Sequence, residues 1–87
     1  MNNNIDDQIE DSVLKFLKKE ALGGSLESTT REIANGAKLV YNQVGKALER
    51  LRIRGQVGYR ERGTERKSVR YYYLSDIVKL YRKYCKV

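Results

Sequence analysis

The stretch Thr29–Gly55, TTREIANGAKLVYNQVGKALERLRIRG, constrains the fold more than any other part of the chain. Thr29 and Glu32 have the spacing of a capping box, in which each side chain satisfies an orphan backbone N–H of the other. Ile33, Ala34 and Ala37 then give a small apolar face. After a few residues Tyr41, Val44, Ala47, Leu48 and Leu51 recur at helical spacing, and Gly55 is placed to end that helix. The connection between the two faces is too short for a long loop, so the helices must cross sharply.

Around this pair the chain is read in order. Residues 5–22 form a first helix, with Ile5, Ile9, Val13, Phe16 and Leu17 along one stripe and Asp6, Asp7, Glu10 and Asp11 on what reads as a solvated face. Those acids near its start and Lys15, Lys18 and Lys19 towards its end complement the helix dipole. Gly23-Gly24 ends it, and a short strand is expected near Leu26. Beyond Gly55 the period changes to two. QVGYRER (56–62) and SVRYYYL (68–74) read as the strands of a hairpin whose tip is GTERK (63–67). In that reading Tyr59, Tyr71 and Tyr73 pack and Tyr72 is the more open. Ser75 is a good N-cap for a last helix over 75–86, which carries Ile77, Leu80, Tyr81 and Tyr84 on one stripe.

Helix, short strand, helix, helix, strand, strand is an α+β order, that of a winged helix-turn-helix. It has a three-helix core, a two-stranded wing with a possible short third strand, and a C-terminal helix left over for dimerisation. The 87 residues are expected to form one domain with a thin core, which a second copy would supplement.

Charge indicates the kind of partner. Eighteen Lys plus Arg stand against 11 Asp plus Glu, giving +7 and a sequence pI near 9.7. Residues 1–28 carry −3, whereas 29–54 carry +4 and 55–74 and 75–87 carry +3 each. One face is thus expected to meet a polyanion. With no histidine and a single cysteine, Cys85, a zinc site and an internal disulfide framework are not expected, and no cofactor is read from the chain. No apolar run approaches the ~20 residues of a membrane span, and the acidic start does not read as a signal peptide. A cytoplasmic protein is the expectation. No nucleophile–base pair or phosphate-binding glycine loop argues for an enzyme.

The segments E-I-A (32–34), Val44, A-L-E-R-L (47–51) and R-G-Q-V (54–57), with Y-Y-Y-L-S (71–75), resemble the winged helix-turn-helix transcription regulators. The likeness covers about residues 26–80 and is to the MarR-, PadR- and ArsR-like groups and to small regulators of archaea and their viruses. It departs from them at Val40, where Ser or Thr is common, and at Lys38, where Gly is common. The metal-sensing Cys and His pairs are absent. The resemblance implies sequence-specific binding of double-stranded DNA by a homodimer, with helix 40–54 in the major groove. The wing, 63–67, would lie over a minor groove or the backbone.

On that helix Tyr41, Asn42, Gln43, Lys46 and Arg50 are the candidate contacts. Asn and Gln can bridge an adenine edge, a Tyr can meet a thymine methyl or a phosphate, and Lys and Arg reach phosphate or guanine. Gly45 fits either close backbone approach or a plain surface position. Arg62, Arg66 and Lys67 are the wing contacts, and Thr30, Arg31 and Lys38 the phosphate anchors. Ile77, Leu80, Tyr81, Tyr84 and Cys85 are the candidate dimer seam, with an inter-subunit disulfide through Cys85 open to it. Two alternatives stand beside this reading: a protein-interaction module on the same fold, and a nonspecific DNA-coating protein.

Overall fold

A computed structural model describes residues 4–64 and 66–76. The elements are α1 (Asn4–Leu22), β1 (Ser28–Thr29), α2 (Thr30–Ala37), α3 (Tyr41–Ile53), β2 (Val57–Thr64) and β3 (Lys67–Leu74). They make a small α+β domain of three helices and a three-stranded antiparallel sheet in the order β1-β3-β2. At Ser75–Asp76 the backbone is helical, and the candidate seam Ile77, Leu80, Tyr81, Tyr84 and Cys85 lies outside the described residues. Among the described residues, no helix is long and apolar enough to cross a membrane.

The core is built where the three helices meet the sheet. Ile9, Val13 and Leu17 of α1 meet Ile33 and Ala34 of α2, the Val44, Ala47, Leu48 and Leu51 stripe of α3, and Val57 and Tyr72 of the hairpin. Ile5 belongs to the expected α1 stripe but is 66% exposed, as residues 5–8 of the first helical turns are all exposed. The end of α1 at Gly23-Gly24 is as expected. Gly24 adopts φ 104°, and the N–H of Ser25 returns to the carbonyl of Glu20.

Both ends of the helix pair follow local chemistry. The Thr29 hydroxyl accepts from the Glu32 N–H at 3.1 Å while the Glu32 carboxylate accepts from the Thr29 N–H at 2.9 Å, a complete capping box. α2 stops at Lys38, which adopts the left-handed conformation (φ 58°, ψ 46°) that Gly usually supplies. The N–H of Leu39 then bonds the Ala34 carbonyl, and the Leu39 side chain packs on the core. α3 begins without side-chain help, since Val40 is its N-cap and makes no cap hydrogen bond.

The hairpin corrects the sequence reading at β3. Tyr72 is buried at 4% exposure, Tyr71 and Tyr73 are half-buried, and Val69 is 42% exposed. Directly opposed residues share a face, and the register sets Val57 against Leu74 and Tyr59 against Tyr72. The inward Val57 and Tyr59 of β2 therefore draw Tyr72 and Leu74 inward with them. Tyr59 and Tyr72 meet with ring centroids 5.5 Å apart at a tilt of 49°. The strands also run further than expected, pairing as far as Thr64 with Lys67. Gly63 makes that possible: its φ is 124°, and a Cβ there would fall 1.9 Å from the Lys67 carbonyl oxygen.

Candidate nucleic-acid interface

With Val44, Ala47, Leu48 and Leu51 turned into the core, helical periodicity sorts the rest of α3 into three strips. Asn42 and Lys46 lie opposite the core and are exposed, and Glu49 continues that ridge. Tyr41, Gly45 and Arg52 lie on the flank towards the hairpin. Gln43, Arg50 and Arg54 lie on the flank towards α1. Of the expected contacts, Tyr41, Asn42, Gln43 and Lys46 are thus all exposed on the front two turns of α3.

Arg50 is engaged elsewhere. Its guanidinium pairs with Glu10, which also receives Arg54 at 2.9 Å. Asp6 stands 4.0 Å from Arg50 on the same side. Glu10 is 5% exposed, so it is not part of a solvated acidic face. Burial alone raises the pKa of this carboxyl and is the largest single effect. The hydrogen bonds and charges of Arg50 and Arg54 together outweigh it, so the net shift is downward and the group is a stable carboxylate. The pattern was available in the sequence: Glu10 precedes Val13 by three residues and Leu17 by seven, which puts it on the buried stripe of α1.

A cleft of about 710 Å³ separates the front of α3 from the hairpin. Thr29, Thr30 and Arg31 close one end of it, Tyr41 and Gly45 form one wall, and Ser68, Val69 and Arg70 form the other. Two carboxylates, Glu49 and Glu61, also line it. Neither is a free negative charge. Glu49 pairs with Arg52 at 2.6 Å and stands 3.9 Å from Arg70, which is in turn 3.6 Å from Glu61. The Arg52 hydrogen bond, ahead of an opposing desolvation, holds the Glu49 carboxyl below its ordinary pKa. Arg70 also lies over the Tyr59 ring, 4.4 Å from its centroid.

The remaining candidates stand at the rim. Thr30 is half-buried beside the capping box, while Arg31 and Lys38 are exposed at the two ends of α2. Arg62, Arg66 and Lys67 are exposed at the hairpin tip, with Arg62 stacked 5.8 Å from the centroid of Tyr71. Among the described residues no acid pairs with Arg31, Lys38, Lys46, Arg62, Arg66 or Lys67. Mid-strand in the hairpin differs, since Arg60 pairs with Glu27. Three features escape the sequence reading: the Glu10 anchor, the Glu49–Arg70–Glu61 chain across the cleft, and the exposure of Val40 at 59%. The last two depend on which strand face and which helix flank meet, and spacing within one element does not contain that. No family model, curated protein or solved structure matches the chain.

Proposed function

We propose that the protein is a winged-helix, sequence-specific double-stranded DNA-binding regulator that acts as a homodimer. One observation carries the reading. Among the described residues the cations without an acidic partner are Lys18 and Lys19 on α1, and Arg31, Lys38, Lys46, Arg62, Arg66 and Lys67, which stand on the helix pair and the hairpin tip. The cations at the back of α3 and at mid-strand in the hairpin pair with acids within the fold. A polyanion is therefore drawn to the rim, where exposed Asn42, Gln43 and Tyr41 supply donors, acceptors and an aromatic ring for base edges. In this reading α3 enters the major groove, Arg62, Arg66 and Lys67 reach the adjacent minor groove or backbone, and Thr30, Arg31 and Lys38 hold phosphates. Arg50 is reassigned from DNA contact to the anchoring of α3 on α1.

Two copies related by a two-fold axis require an inverted repeat with half-sites about 34 Å apart. Selection of bound duplexes from a random pool, followed by footprinting, tests the reading. An inverted-repeat consensus supports it. Enrichment without consensus, with affinity falling steeply in salt, marks a nonspecific coating protein. Absence of any bound DNA leaves the interaction-module reading. Asn42→Ala combined with Lys46→Ala abolishes preference for the consensus while the melting temperature holds. Unchanged preference would remove α3 from the readout.

A further inference from the structure

The front of α3 carries an apolar pair that the fold does not use. Val40 and Tyr41 are 59% and 54% exposed. Val40 sits at the N-cap in extended conformation and makes no cap hydrogen bond there, although Ser, Thr, Asn or Asp at this position would satisfy a backbone N–H. Its neighbour Leu39 packs against the core, so the turn is anchored without it. A branched apolar side chain that neither caps nor packs thus stands at the end of the helix that leads into a groove. Exposed Arg31, Lys38 and Lys46 lie on the elements around it, and none has an acidic partner among the described residues. Their charge selects a polyanion over an apolar peptide as the occupant.

The major-groove edge of DNA offers one apolar group, the 5-methyl of thymine. We propose that Val40, with Tyr41 next to it, contacts a thymine methyl in each half-site, which makes Val40 a specificity-determining residue. This rests on the DNA-binding reading above and names the base that reading leaves open.

The test uses the full chain and a duplex selected from a random pool, in which each thymine is replaced in turn by uracil. The exchange removes the methyl and leaves the hydrogen-bonding edge unchanged. At one thymine per half-site it lowers affinity about fourfold, the worth of one buried methyl. Val40→Ser restores a capping hydroxyl and removes the apolar contact. It melts no lower than the parent and binds the thymine and uracil duplexes equally. A selected duplex indifferent to uracil at every position overturns the inference and leaves the DNA-binding reading standing. So does a Val40→Ser protein that still discriminates. A pool from which nothing is retained overturns both.

Discussion

Replacing Glu10 with Gln destabilises the fold by about 2 kcal/mol. Removing one partner of a fully buried ion pair costs about 3–5 kcal/mol, while an exposed pair contributes about 0–1 kcal/mol. Glu10 belongs to the first class, with its side chain 7% exposed, but the Arg50 and Arg54 side chains left behind are 35% and 52% exposed. Those guanidiniums regain water when the carboxylate goes, and the Gln oxygen still accepts one hydrogen bond. The cost therefore falls between the two limits. In a domain of this size that is a drop in melting temperature of about 8–16 °C. Melting followed by circular dichroism measures it, and the pH dependence makes the test specific. The folded pKa of Glu10 lies below its unfolded value, about 4.3. Its contribution is then complete above that value and is lost as pH falls through the lower, folded one. The parent and Glu10→Gln curves should differ at neutral pH and converge in acid. A difference under about 2 °C at pH 7, or one that does not shrink on acidification, would refute the anchoring role.

Two further substitutions probe the backbone that presents the interface. Lys38→Gly relieves a left-handed residue, a gain of about 1–2 kcal/mol offset by about 0.4–1 kcal/mol of added unfolded-state freedom. The variant should unfold at higher urea and, if Lys38 holds a phosphate as proposed, bind DNA with a salt slope shallower by about one. Gly63→Ala places a methyl against the Lys67 carbonyl at positive φ. It should cost about 1–3 kcal/mol, read as a lower urea midpoint at unchanged slope.

What was legible in the sequence is what one element dictates by itself. The capping box, the α3 stripe, the glycines that end α1 and α3, and the period change into the hairpin each depend on residues a few positions apart. The structure has them with small shifts of boundary, except that Tyr41 stands outside the buried α3 stripe at 54% exposure. The faces of β3 were not legible, because three consecutive tyrosines have no alternation to read and only the register with β2 decides which one is buried. The pairing of Arg50 with Glu10 is hidden for a related reason. The distance of Arg50 from the apolar stripe shows that it avoids the core. Only the packing of α1 on α3 shows that Glu10 waits on that flank.

Pairing, more than total charge, sets where this fold presents a field. The basic residues of α3 differ along its length. Lys46, near the front, has no acidic partner among the described residues, whereas Arg50, Arg52 and Arg54 at the back are tied to Glu10 and Glu49. Arg50 and Arg54 fasten the back half of the helix to α1 through Glu10, while Arg52 pairs within the helix with Glu49. Along the hairpin, Arg60 and Arg70 are paired at mid-strand and Arg62, Arg66 and Lys67 are exposed towards the tip. α3 and the hairpin each hold paired cations along their length and unpaired ones towards one end, and residues of both elements line one cleft. Recognition helices read bases through their first turns, with phosphate contacts fixing the register. In the proposed complex Tyr41, Asn42, Gln43 and Lys46, exposed on the first two turns of α3, are the residues that would meet bases.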